Sequence, residues 1–111
     1  MQNAMAEDGI GKWFEYLCGE EEALIADLFE DGFVYHTSEG DLDLAGVKAR
    51  IGEYRAAFPE LLFHIDFVVS QGDRVGVAWT AVTKTQISKG VGVGTYINGK
   101  FTEFSGIMPN L

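Results

Sequence analysis

Few residues of this 111-residue chain could do chemistry. His36 follows Tyr35 in the run FVYHT, and an imidazole can act as a general acid or base near neutral pH. Neighbouring side chains of a strand point to opposite faces, so His36 faces outward if Phe33, Tyr35 and Thr37 face inward. The plainer reading of His36 is a hydrogen-bonded surface or interface residue. His64 and Asp66 stand two residues apart, where a carboxylate can orient an imidazole as a base; more plainly, both line an outer face. Cys18 is the single cysteine, which rules out an internal disulfide, and packing is its plainer role. No histidine or cysteine spacing suggests zinc. Gly90-x-Gly92-x-Gly94 lacks the following helix of a phosphate-cradling loop and reads as a flexible hairpin entry. No metal and no cofactor is expected.

Those residues need a scaffold, and composition limits its kind. The 47% apolar content is that of a globular protein, and the length suits a single domain over residues 1–111. Seventeen acidic residues against eight basic ones give a formal charge of −9, a field that repels nucleic acid and anionic membrane. Neither is an expected partner. The start MQNAMAEDGIGKWF lacks a signal-peptide pattern, and no stretch is long and apolar enough to span a membrane, so the expected location is cytoplasmic.

The pattern predicts helices first. Ile10, Trp13, Phe14 and Leu17 share one helical face, and Gly19 offers a stop. A second helix is expected through EEEALIADLFEDG, with Leu24, Ile25, Leu28 and Phe29 as its stripe and Gly32 at its end. FVYHT is a short strand closed by the turn SEGD. Asp43 can cap a third helix to about Phe58, where Leu44, Val47, Ile51, Tyr54 and Phe58 make one face and Pro59 stops it. Tyr54 could turn its hydroxyl from that stripe into a pocket, although packing alone also explains it.

Everything after Pro59 reads as strand. Phe63, Ile65, Phe67 and Val69 alternate with His64, Asp66 and Val68, and the turn QGD joins them to Val75–Val82. Asn98-Gly99 is a strong hairpin signal between Gly94–Ile97 and KFTEFSGIM. Val75, Val77, Trp79 and Ala81 form one apolar row, yet the opposite row of Gly76, Ala78, Thr80 and Val82 is hardly polar. A sheet with one wet face should look different. The fold class is α+β, about three N-terminal helices on one face of a curved, mostly antiparallel sheet.

This order, carried by LFEDGFVYHTSEGDLDLAGVKARIGEYRAAFPEL, VVSQGDRVGVAWTAVTKT and NGKFTEFSGI, resembles the SnoaL-like polyketide cyclase family of the nuclear-transport-factor-2-like superfamily. The resemblance implies a cone in which the sheet wraps the helices around a pocket and its outer face packs on a second subunit. Val75, Val77, Trp79 and Ala81 would then face the pocket, and Gly76, Ala78, Thr80 and Val82 a homodimer partner. Small residues let two sheets approach closely. Members of the family carry one more strand after Gly106-Ile107, which implies direct pairing of the first and last strands, a strand from a neighbour, a rearranged sheet, or a shortened member with an open pocket.

The superfamily's steroid isomerases use an aspartate base, a helix tyrosine and a protonated acid. Ungapped comparison puts Thr37, Trp13 and Met108 at those places, which excludes that mechanism and implies an apolar lining with Tyr35, Trp79 and Phe104 beside it. The implied function is a pocket for a small apolar, aromatic or polyketide-like molecule. One form is a cofactor-free cyclase, isomerase or hydrolase with His36 or Tyr35 as the acid–base group, which needs that group on the cavity wall. The alternatives are a non-catalytic binder and a structural dimer with a self-filled interior. A cavity below roughly 100 Å³ would favour the last, since ligand sites usually exceed about 300 Å³.

Overall fold

The computed structural model describes residues 4–17 and 27–107. Helix α1 (Ala4–Leu17) buries Ala6, Ile10, Trp13, Phe14 and Leu17, the face that the sequence pattern predicts. Strand β1 (Phe29–Thr37) and strand β2 (Gly40–Asp43) lead into helix α2 (Leu44–Ala57). Strands β3 (Leu62–Gln71), β4 (Arg74–Val82), β5 (Ile87–Ile97) and β6 (Lys100–Gly106) complete one six-stranded sheet, in the order β2-β1-β6-β5-β4-β3.

Local signals placed α2 and the turns. The Asp43 carboxylate accepts from the Gly46 N–H at 2.7 Å, as an N-cap should, and the helix stops one residue before Phe58. Asn98 and Gly99 adopt φ of 53° and 83°, the left-handed pair that a two-residue hairpin needs.

Long-range packing overrode the local pattern elsewhere. Two helices stand among the described residues where three were expected. Phe29 to Gly32, expected as the end of a second helix, are strand, and residues 18–26 of that expectation lie outside the described residues. Phe29 has its ring 5.1 Å from Trp13, 4.7 Å from Phe33 and 5.8 Å from Phe101, and Phe101 N–H donates to Leu28 O at 2.8 Å. Those contacts outweigh a modest helical propensity.

The question of the last strand is answered by the pairing of β1 with β6. Gly40–Asp43, read as turn and cap, is a four-residue strand that pairs with β1 at the edge of the sheet, so the strand count rises to six. β1 and β6 then pair directly and in parallel, with Tyr35 opposite Phe104 and His36 opposite Ser105. The sheet needs no strand from a neighbour.

Two departures in the sheet shape its faces. The glycine run, expected as a loop, is the middle of β5. Gly90, Gly92 and Gly94 point to the inner face, and Val91 and Val93 to the outer one. A Cβ on Gly90 would lie 2.2 Å from the Trp79 ring, and one on Gly92 2.4 Å from Phe104. The rings of β4 and β6 therefore lie on bare backbone.

The second departure is a bulge at Asp66. Phe63 and Ile65 oppose Ala81 and Trp79 on the inner face, but after the bulge Phe67 and Val69 oppose Ala78 and Gly76 on the outer one. An extra residue in one strand reverses the side-chain alternation beyond it. The single apolar row expected for β3 is thus split between two faces. Ser70, brought inward, donates its hydroxyl to Glu7 of α1 at 2.7 Å.

A methyl at position 90 has nowhere to go, because the nearest atoms belong to a packed indole. Gly90→Ala should destabilise the fold by about 1–3 kcal/mol, the usual cost of overpacking. Urea unfolding checks this, with a lower midpoint at unchanged slope as the expected result.

Candidate functional site

Between the two helices and the inner face of the sheet lies a cavity of about 30 Å³. Helix α1 contributes Trp13, Phe14 and Leu17 to its wall, and α2 contributes Val47, Ile51 and Tyr54. The sheet supplies Tyr35, Phe63, Trp79 and Phe104, and Ile107 follows β6 at the rim. Each side chain is there for a structural reason. The 3.6-residue period puts Trp13 and Leu17 on the buried face of α1, and Val47, Ile51 and Tyr54 on that of α2. The pleat turns Tyr35 and Trp79 inward, and the missing side chains of β5 let Trp79 and Phe104 lean across the floor.

The wall is aromatic. Tyr35 and Phe104 lie 5.3 Å apart at 37°, and Phe63 meets Trp79 edge-on at 6.1 Å. Such offset and edge contacts are the favoured ring geometries and hold the wall without polar atoms. The phenols of Tyr35 and Tyr54 are the titratable groups that the described residues bring to it. Burial first, and the neighbouring Tyr54 second, push the Tyr35 phenol up from 10.0 to about 12. Tyr35 is therefore a neutral hydroxyl at physiological pH, a hydrogen-bond donor rather than a base. Tyr96, at the far end of β5, is also pushed up, by burial and then by Asp8.

The expected pocket residues Trp13, Tyr35, Tyr54, Trp79 and Phe104 come together. Three others do not join them. Met108 lies outside the described residues. Thr37 turns to the β1–β2 turn, where its hydroxyl donates to Gly40 O at 2.7 Å and accepts from Glu39 N–H at 3.1 Å. His36 is on the other face of β1, with Nδ1 2.9 Å from the Asp41 carboxylate and its side chain 43% exposed. Strand alternation separates it from the cavity, so it cannot reach a molecule held beside Tyr35. Phe14, Leu17, Val47, Ile51, Phe63 and Ile107 were not singled out as lining, although the apolar stripes of α1, α2 and β3 contain all but the last.

The outer face of β3, β4 and β5 is ordered in cross-strand rows. Leu62, Val82 and Ile87 form one, Phe67, Ala78 and Val91 another, and Val69, Gly76 and Val93 a third. Phe67 and Val91 are each 60% exposed. His64, Thr80 and Lys89 make the polar row between them. There the Thr80 hydroxyl donates to Asp66 at 2.7 Å and accepts from Lys89 at 3.0 Å. That clasp covers Thr80, so Gly76, Ala78 and Val82 are the more accessible of the four residues expected to meet a partner. Among the described residues no helix is long and apolar enough to cross a membrane.

A helix pair clasped by a bent six-stranded sheet, with an aromatic cavity between, can be compared with known proteins. The model of the SnoaL-like domain matches residues 10–104. The chain belongs to the SnoaL-like family. No curated protein matches it in sequence. Among solved structures, wild-type IdmH, a candidate polyketide cyclase from Streptomyces antibioticus, is similar with a TM-score of 0.79 at 16% identity, over 91% of this chain and 89% of that one. A candidate isomerase of the SnoaL-like family from Agrobacterium tumefaciens has a TM-score of 0.79 at 14% identity, over 97% of this chain and 100% of that one. A de novo designed protein with a curved β-sheet is similar too, with a TM-score of 0.77 at 11% identity over 97% and 88%. At such identities the likeness is one of fold.

The Tyr35 shift has a stability consequence of definite sign. A phenol whose pKa is raised in the folded state holds its proton more tightly there than in the unfolded chain. Its contribution is complete below pH 10 and is lost as pH rises toward 12. The wild type should lose about 2 kcal/mol more than Tyr35→Phe across that interval, most of the two pKa units at 1.36 kcal/mol each. Parallel urea titrations of the two proteins at pH 9 and pH 12 measure the difference.

Proposed function

We propose that this SnoaL-like chain binds a small, flat, apolar molecule between α1, α2 and the inner face of the sheet. The observation that carries the reading is the wall itself: Trp13, Tyr35, Trp79 and Phe104 converge with aliphatic side chains and only two phenols. Ligand sites of this kind are lined by aromatic and aliphatic groups with a few placed polar atoms. A cavity of about 30 Å³ holds one or two water molecules at most, so a ligand needs more room than the empty site offers. Half-buried Tyr54 and exposed Ile107 are the wall residues that reach solvent, and their outward swing supplies it. The candidate cyclase and isomerase among similar structures make an aromatic or polyketide-like ligand a sensible first class. Turnover, if it occurs, falls to Tyr35 rather than His36, because of these two Tyr35 alone lines the cavity.

The small volume favours a second reading, a self-filled structural dimer. Both readings share the dimer: the three apolar rows of β3–β5 are suited to a second copy of the chain, and exposed apolar patches of this kind commonly mark interaction surfaces.

A thermal-shift screen with aromatic, polyketide-like and terpenoid molecules separates the two. A ligand at 100 times its Kd should stabilise the protein by about 2.7 kcal/mol. Silence across the library would sink the binding reading and leave the self-filled interior. The dimer is checked separately by light scattering at micromolar concentration. Val91→Asp, which sets a carboxylate in the middle of an apolar row, should give the mass of one subunit where the wild type gives two.

A further inference from the structure

We infer a second binding site, for the ammonium group of a small aliphatic amine, in the cleft between the start of α1 and the two hairpin turns at the near end of the sheet. The cleft has a volume of about 260 Å³ and is lined by Met5, Asp73, Tyr96, Asn98 and Gly99. Met5 lies in the first turn of α1, Asp73 in the β3–β4 turn, and Asn98-Gly99 form the β5–β6 turn. The Tyr96 N–H donates to Asp73 O at 2.8 Å and ties the two turns together. None of these residues lines the aromatic cavity, so the site stands whether or not that cavity takes a ligand.

The Tyr96 phenol singles this cleft out. The residue is only 8% exposed, yet its hydroxyl has no hydrogen-bond partner among the described residues. The body of the ring is packed. Phe101 meets it edge-on at 4.9 Å, and α1 crosses it at Gly9, where a Cβ would lie 3.0 Å from Cε2. The hydroxyl is the part left to the cleft. A buried tyrosine usually finds a partner for that group, and an unmade hydrogen bond there costs free energy that a bound ligand restores.

The surroundings select the partner. Asp73 is on the cleft wall, and Asp8 of α1 stands near enough to oppose ionisation of the phenol, which burial opposes first. Neither carboxylate has an ion-pair partner among the described residues. The cations next in sequence are directed elsewhere. Arg74 and Lys100 precede Val75 and Phe101, which are buried inward, so strand alternation turns both to the outer face. An ammonium brings three N–H donors, suited to a carboxylate, the phenol oxygen and the Asn98 amide oxygen, and a cation is drawn to an aromatic ring. The formal charge of −9 attracts such a ligand and disfavours an anion. A bare metal ion fits less well. Among the described residues no three His, Cys, Asp or Glu side chains are gathered to hold one, and a neutral phenol is not among the oxygen ligands that hard cations take.

NMR titration of the protein at low ionic strength with butane-1,4-diamine, and with butane-1,4-diol as its uncharged counterpart, tests the site. The diamine should move the amide signals of Asp73, Asn98 and Gly99 to saturation, and the diol should not. Asp73→Asn should weaken binding about tenfold and Tyr96→Phe about fivefold, as the loss of one charge-assisted and one neutral hydrogen bond implies. Asp8→Asn, at an exposed position of α1, should also weaken it and serves should the turn or the buried ring not tolerate change. Glu39→Gln removes the same charge from the β1–β2 turn at the opposite end of the sheet and should leave binding as it is. Shifts spread over the whole acidic surface, an equal response to the diol, equal weakening by Glu39→Gln, or no saturable shift at all would each overturn the site.

Discussion

The contact of Trp79 and Phe104 with bare backbone is the constraint on which the rest of the molecule depends. β5 presents glycine to the inside and valine to the outside at alternate positions, so its inner face has no side chains of its own. Two rings from the flanking strands fill that space. This sets the depth of the concave face, the distance at which α1 and α2 can close over it, and the aromatic character of what lies between. It also loads the opposite surface, because the valines of the same pattern have nowhere to go but outward. Cavity and apolar face are two results of one alternation.

The likeness to a de novo designed protein with a curved β-sheet is one of fold alone. Function in such a fold resides in the few polar atoms that the apolar wall leaves exposed. Here one of those is the Tyr35 phenol, held neutral by burial, and the imidazole that draws attention in the sequence is on the wrong side of its strand. Position relative to the pleat, one residue either way, decides whether a titratable group belongs to a site.

Legibility in the sequence followed the range of the interactions involved. The α2 stripe, its Asp43 cap and the Asn98-Gly99 turn are local, and each could be read from a few neighbouring residues. So could five of the seven residues expected at the pocket, since Trp13, Tyr35, Tyr54, Trp79 and Phe104 lie on plain apolar faces or beside them. The misreadings were non-local. Phe29 has helical spacing but is claimed by Trp13 of α1 and Phe101 of β6, beside Phe33 of its own strand. The glycines of β5 look like a loop because the rings that cover them come from other strands. β2 is short and mostly polar, and only its pairing with β1 makes it a strand. Thr37 has the right parity for the pocket, yet the nearby turn offers its hydroxyl closer partners.

The bulge at Asp66 carries a consequence for the outer surface. Asp66 takes up one step of the chain without a cross-strand partner, so Phe67 and Val69 lie opposite Ala78 and Gly76 on the outside although they share sequence parity with Phe63 and Ile65. Deleting Asp66 would close the bulge and leave those pairings in place, whereas straightening the strand with Asp66 kept would carry both side chains beneath the helices and strip the outer surface of two large apolar groups. The outward set of Phe67 and Val69 is held by the irregularity of the strand and not by the alternation of its sequence.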